Sequence, residues 1–355
     1  MARRRITSYD VARAASVSQT TVSFVLNQVA EANISEETRQ RVMAAAEELG
    51  YVPDAAAQAL ARGRTQIIGV VVTTLEDPFI GALVQTIESA AYDQGYVVIL
   101  ASSNDIPERE VAAARMLQSR RVDGVIVASS RASALYKGQL EQPRVPVVVI
   151  NRLTEPGDQL VFSVGVDNRH GGNIATAHLI QKGHRRIAYV ASPPDRSDNK
   201  ERMAGYRQAL ADAGIVYSPS LVVQGTGDTD GGRRALPVLL SLDEPPSAVF
   251  CYNDLTAIGL IDAARRAGLA LPQDLAIVGF DDIAFTQFCH PPLTTIAQPI
   301  GEMGTKAIEL LLALLSEGAQ GTASGSNVTI QGQLVVRASS GEKIGGVGRD
   351  VANET

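Results

Sequence analysis

Apolar residues recur at helical spacing from the start of the chain, and the rhythm changes after about residue 66. In the segment 6–27 (Ile-Thr-Ser-Tyr-Asp-Val-Ala-Arg-Ala-Ala-Ser-Val-Ser-Gln-Thr-Thr-Val-Ser-Phe-Val-Leu-Asn), Val11 and Ala14 are expected to face inward. Thr7 stands where a helix cap belongs, with Asp10 as its capping-box acid. Ala15-Ser16-Val17 makes a turn, Ser18 caps a second helix, and Val22, Val25 and Leu26 form its buried stripe. Gln19, Thr20, Ser23, Phe24 and Asn27 are left off that stripe. A third helix starts at Ser35; Val42, Ala46 and Leu49 mark its inner face, and Gly50 ends it. Residues 1–50 therefore read as an all-α head near the lower size limit for an independent core. A short helix with small polar side chains at its N-terminal end fits a DNA major groove; a plain helical hairpin is the alternative.

Tyr51-Val52-Pro53 breaks the pattern. Residues 54–62, from Asp54 to the stop at Gly63, favour a helix but are too few to hold one alone in water, so 51–65 read as a linker that is helical only when docked. From Ile67 apolar runs alternate with amphipathic stretches. Strands are expected at 67–73, 97–101, 124–128, 146–150, 187–191, 220–224, 248–251, 275–280 and 293–296, and helices at 79–93, 107–119, 170–182, 200–213, 231–241, 255–267 and 301–316. Continuous apolar strands joined by helices predict parallel sheets, and their number predicts two lobes. The Gly-rich polar stretch 341–355 reads as a disordered tail.

Charge refines this picture. Residues 1–64 hold eight Arg and seven Asp or Glu, a net of +1, while the whole chain of 355 residues carries −6. An acidic protein can bind DNA when its basic groups are concentrated on a small module. Arg3, Arg4 and Arg5 precede the first helix within reach of phosphate, unless they are only a solvated terminal run. The basic start is followed by no apolar stretch of signal-peptide or membrane-spanning kind, so a cytoplasmic location is expected. Cys251 and Cys289 sit in or beside apolar segments and are expected to be reduced thiols. His170, His178, His184 and His290 show no metal spacing, and no nucleophile elbow or paired-Cys motif appears; an enzyme, a metal and a cofactor are not expected.

The head, the Tyr51-Val52-Pro53 break and the Ala-rich segment with Leu60 together resemble the lactose-repressor (LacI) family of bacterial transcription regulators. So do the phrases Val122-Asp123-Gly124-Val125-Ile126-Val127, Pro146 to Arg152, Val166-Asp167-Asn168, Gly183 to Val190, Arg202 to Tyr206, Cys251-Tyr252-Asn253-Asp254, Val278 to Asp282 and Pro292 to Ile296. The resemblance runs over residues 6–340. It implies a helix-turn-helix head on a periplasmic-binding-protein-like α/β core of two lobes, 66–340, crossed three times by the chain. Lobe one is expected at about 66–163 and 298–327, lobe two at about 165–296 and 328–340.

What the resemblance implies for function is a repressor that binds a palindromic operator as a homodimer under control of a small, sugar-like effector. Gln19, Thr20 and Phe24 match base-reading positions, Phe24 by apolar contact only. Ser8, Tyr9, Ser18, Thr21, Ser23, Asn27, Ser35, Thr38 and Tyr51 match backbone-positioning sites. Ala57 and Leu60 match the hinge contact with the minor groove, where Leu60 would wedge between base steps. Asp77, Phe79, Ser102, Asp105, Arg152, Arg196, Asp198, Arg202, Asn253 and Asp281 match positions lining the effector cleft. Their carboxylates, guanidinium forks and aromatic face suit a polyhydroxylated ring. Gly227 stands where many relatives carry a stacking aromatic, and the Gly225–Gly231 stretch imitates a nucleotide fingerprint with the wrong spacing. Alternatives are co-repression by a non-sugar metabolite, or a solute-binding protein, which would need a signal sequence and no head. No heptad tail follows residue 340, so assembly is expected to stop at the dimer.

Overall fold

The computed structural model describes residues 6–27, 32–52, 63–129, 145–151, 162–317 and 327–341. The expected linker helix with Ala57 and Leu60, the Arg3–Arg5 run, Arg152 and nearly all of the expected tail lie outside the described residues. The chain divides into two compact units, 1–66 and 67–355.

The first unit is built from α1 (Ser8–Ala14), α2 (Gln19–Leu26) and α3 (Glu36–Glu48). Thr7 and Asp10 form the reciprocal capping box, and Ser18 and Ser35 cap α2 and α3 through their hydroxyls. Val11, Ala12, Ala15, Val22, Val25, Val42, Ala45 and Ala46 form the core. Ala14 was expected inside and is exposed. The Val11–Ala12–Ala15 face (i, i+1, i+4) takes the contact instead, because 3.6 residues per turn rotates Ala14 away from it. Gly50 closes α3 at a φ of 60°.

The second unit holds two six-stranded sheets. The first contains β1 (Ile67–Val72), β2 (Val97–Ser102), β3 (Gly124–Ala128), β4 (Val147–Ile150), β5 (Phe162–Val166) and β11 (Asn327–Ile330), in the order β11-β5-β4-β3-β1-β2, all parallel. Between its strands come α4 (Pro78–Asp93) and α5 (Pro107–Ser119). Alternate side chains explain the continuous apolar runs. Ile68, Val70, Val72, Ile126, Val148 and Ile150 pack to one face with α4 and with α10 (Ile300–Glu317), while Val71, Val125, Val127, Val147 and Val149 pack to the other with α5.

The second sheet orders β12 (Gln333–Val335), β10 (Thr294–Ala297), β9 (Ala276–Asp281), β8 (Ala248–Cys251), β6 (Ile187–Ala191) and β7 (Val222–Gln224). Its partners are α6 (Asn168–Gln181) and α7 (Ser197–Asp212) on one face and α8 (Thr229–Leu240) and α9 (Asp254–Arg266) on the other. The sheet departs from the all-parallel expectation at one edge, where β12 runs antiparallel to β10. A short antiparallel edge strand needs no crossover helix.

β5, β11 and β12 were not foreseen as strands. The first sheet reaches Val166 and takes up Asn327–Ile330, so the chain crosses at 166–168 and 330–333, a few residues later than expected. The Asp167 amide donates to the Ile330 carbonyl at 2.8 Å and ties these two crossings together. The third crossing lies between β10 and α10.

Candidate functional site

In the head, the residues proposed to meet DNA sit at the start of α2 and around it. Tyr9 (63 % exposed) and Phe24 (40 % exposed) are large side chains that the head leaves in solvent. Gln19 and Thr20 are exposed at the first turn of α2. Gln19 Nε2 donates to Ser8 Oγ at 2.8 Å, so these two residues brace the N-terminal ends of α1 and α2 against each other. Ser18 pairs with Thr21, Ser35 with Thr38, and Asn27 Nδ2 donates to Ser23 Oγ. Several proposed backbone contacts are thus also helix caps. Tyr51 packs, half-buried, on the head core.

In the second unit a cavity of ≈ 690 Å³ lies between the two sheets, at the carboxyl ends of their strands. Parallel strands leave their C-terminal ends open between the following helices, where loop residues converge. Asp77, Phe79, Asp105, Arg196, Asp198, Arg202, Asn253 and Asp281 all line it. Ser102 does not. It is the last residue of β2, and its hydroxyl donates to Asn104 Oδ1 at 3.2 Å, so Asn104 reaches the cavity in its place.

Each side chain is held by its neighbours. Asp77 caps α4, accepting from the Phe79 amide at 2.9 Å, and burial pushes its carboxyl above the usual carboxylate range. Asp105 could have capped α5, but Ile106 takes the cap position. Asp105 instead receives Arg196 Nη2 at 2.6 Å, an ion pair that joins the first sheet's loop to the second sheet's helix α7 across the cavity. Arg202 is buried. Its Nε donates to Asn168 Oδ1 (2.9 Å), its Nη1 to the Tyr252 carbonyl (2.6 Å), and its guanidinium lies 3.6 Å from the centre of the Phe280 ring. Asp198 and Asp281 stand at 3.9 and 3.8 Å from Arg202 Nη2. Tyr252 donates to Asp198 (2.6 Å) and Gln298 to Asp281 (2.6 Å). Burial drives the Asp281 carboxyl well above its ordinary value despite Arg202, with Asp254 and Asp77 adding to the rise. Asn253 caps α9 and also donates to the Gly227 carbonyl at 2.9 Å.

Tyr252, Asn104, Asn151 and Gln298 line the cavity and were missed as site residues. Each lies just past a strand's carboxyl end, a positional rule that could have found them. Asn104, Asp105, Asn151 and Asp281 adopt φ of 50°, 61°, 63° and 122°. Such left-handed residues are uncommon away from glycine and gather where backbone is bent to serve a site. Among the described residues no cluster of three His, Cys, Asp or Glu could hold a metal, and no helix is long and apolar enough to cross a membrane. Both cysteines are free thiols, Cys251 buried and Cys289 half-buried.

Comparison with known proteins adds a second line. Residues 7–54 match the family model for bacterial regulatory proteins, lacI family, and residues 176–340 match a periplasmic binding protein-like domain. The chain is similar to the HTH-type transcriptional repressor CytR of Escherichia coli (strain K12), 36 % identical over 334 residues, which span 94 % of this chain and 96 % of that one. It is similar to the repressor PurR of Aliivibrio salmonicida, 34 % identical over 309 residues spanning 87 % and 92 %. Among solved structures, a lac repressor dimer bound to operator and the anti-inducer ONPF matches with a TM-score of 0.83 at 29 % identity, over 95 % of this chain and 99 % of that one. A complex of the transcriptional regulator CelR with cellobiose matches with a TM-score of 0.71 at 32 % identity, over 94 % and 100 %.

Proposed function

The chain belongs to the LacI family of bacterial regulatory proteins and is a DNA-binding transcriptional repressor, not an enzyme; from that premise we propose that it grips a palindromic operator as a homodimer and that a small polyhydroxylated effector in the cavity sets the strength of the grip. Gln19 and Thr20 read base edges in the major groove, Phe24 adds apolar contact, and the polar residues around the caps hold phosphate. The cytoplasm is where such a protein meets its operator.

Support for the dimer comes from β2. It is an edge strand of the first sheet and exposes Val97, Ile99 and Leu100, and Tyr92 near the end of α4 is exposed as well. An uncovered apolar edge of this kind favours a second copy. A two-fold protein asks for a two-fold site.

The observation that carries the effector half is the cavity itself, bridged by Arg196 and Asp105 from opposite sheets. A ligand that contacts both sides stabilises one angle between the lobes and shifts the population toward it. If that angle presents the two heads differently, ligand and operator are linked reciprocally. The likeness to a cellobiose complex favours a sugar-like ligand.

The test has two steps. The purified chain is used to enrich sequences from a random duplex pool, and the winner is titrated with and without candidate sugars and nucleosides. A palindrome should emerge, with affinity falling linearly in log salt, and one class of compound should shift it. Release marks induction and tightening marks co-repression. Failure to enrich any two-fold sequence at moderate salt sinks the operator reading, and no compound shifting a real operator complex sinks the effector reading.

A further inference from the structure

The hydrogen-bonding polarity of the cavity is lopsided. Its described lining carries six carboxylates, Glu76, Asp77, Asp105, Asp198, Asp228 and Asp281, against the two guanidinium groups of Arg196 and Arg202. Several of the donors are also engaged within the protein. Arg202 is held by Asn168 and the Tyr252 carbonyl, and Arg196 by Asp105. The Tyr252 hydroxyl serves Asp198, Asn253 Nδ2 serves the Gly227 carbonyl, and Gln298 Nε2 serves Asp281.

Among the described lining residues, two of the three buried side-chain atoms without a hydrogen-bond partner are acceptors. Gln298 is 6 % exposed, and its Oε1 has no hydrogen-bond partner; Asn151 Oδ1 has none either. The third buried lining atom without a partner is a donor, Arg196 Nε. Amide oxygens and ionised carboxylates only accept, so a ligand that completes this site must bring donors.

We propose that the effector is a donor-rich polyhydroxyl compound, neutral or cationic, and that the cavity rejects phosphorylated and carboxylated members of the same classes. This deepens the effector reading above and rests on it. A phosphate or carboxylate is mismatched twice here. Its oxygens are acceptors facing acceptors, and its charge adds to a lining in which acids outnumber bases. Burial presses Asp281 and Asp77 toward their protonated forms, so the excess of accepting acids rests on Glu76, Asp105, Asp198 and Asp228, four against two guanidinium groups.

The experiment uses the full chain and matched compounds: glucose with glucosamine, glucuronate and glucose 6-phosphate, the parallel sets for other common hexoses, pentoses and disaccharides, and each nucleoside with its monophosphate. Thermal shift finds the hits and calorimetry measures them. Hits should be confined to the uncharged and amino members, and the phosphorylated or acid counterpart of any hit should bind at least tenfold more weakly (about 1.4 kcal/mol). A phosphorylated or acid compound that binds as tightly as its parent overturns the proposal. Glu76→Gln with Asp228→Asn removes two charges while leaving the Asp228 cap acceptor in place, and should narrow the gap between parent and phosphorylated compound. An unchanged gap overturns charge as its cause. An absence of hits in every set defeats the effector reading itself, which separates the two failures.

Discussion

Asp254 shows how much one residue can carry without lining the cavity. It opens α9, and its carboxylate accepts from Thr295 Oγ1 at 2.6 Å and from the Ile283 amide at 2.9 Å. Burial pushes its pKa up to about 7 from an ordinary 3.8, the Asp282 charge adding to the rise. The folded chain therefore holds this proton more tightly than the unfolded chain between those values. The associated stability is complete below the unfolded value and is lost as pH rises through about 7. Melting temperature should fall from about pH 5 to about pH 8, and Asp254→Asn should flatten that slope. An asparagine can still accept from the Ile283 amide through Oδ1 and donate to Thr295 through Nδ2. Asp281 is shifted in the same direction, so part of the slope remains. An unaltered slope in the variant would place the titration elsewhere. At the DNA end, Gln19→Ala should relax discrimination at one operator position by about 1–3 kcal/mol while leaving non-specific binding almost intact. Binding to mutated half-sites measures it. A uniform loss across sequences would instead make Gln19 a brace for Ser8 alone.

Between elements, the contact of α6 with α7 decides where Arg202 can be. A Cβ at Gly205 would meet the Arg169 carbonyl, and one at Gly172 would meet the Arg202 carbonyl. The two helix backbones approach closely only because these residues have no side chain, and that approach sets Arg202 opposite Asn168. Gly205→Ala should cost about 1–3 kcal/mol in urea unfolding, as overpacking does, and should weaken effector binding beyond what the lost stability explains. Wild-type unfolding would mean that the helices can separate freely. Elements of this size were mostly legible in advance. The caps Thr7, Ser18 and Ser35, and the central strands buried on both faces, follow from chemistry within a few residues. β11 and β12 were not legible. Asn-Val-Thr-Ile and Gln-Leu-Val are short and half-exposed, and they are strands only because an edge of a distant sheet accepts them. Ser102 and Asn104 failed for a related reason. Resemblance matches a position, but the left-handed turn at Asn104 and Asp105 decides which side chain enters the cavity.

At the scale of the whole molecule, the edge strand β2 and the cavity make separate predictions. Ile99→Asp with Leu100→Asp puts charge on the exposed apolar edge without disturbing a buried core, and should turn the proposed dimer into a monomer by light scattering. Operator affinity should fall with it. A dimer that survives both charges must use another surface. Arg196→Ala removes the ion pair between the two sheets' loops and should weaken effector binding and its effect on operator together. The chain's sequence was sufficient for its family, its division into a helical head and an α/β core, and most members of its cleft, because periodicity, caps and motif spacing are local and survive without knowledge of the fold. Tertiary structure alone decided which donors are already engaged, which acceptors stay open, and which lobe each late strand joins. Those properties arise from contacts between residues as far apart as Asp105 and Arg196, and no local pattern encodes them.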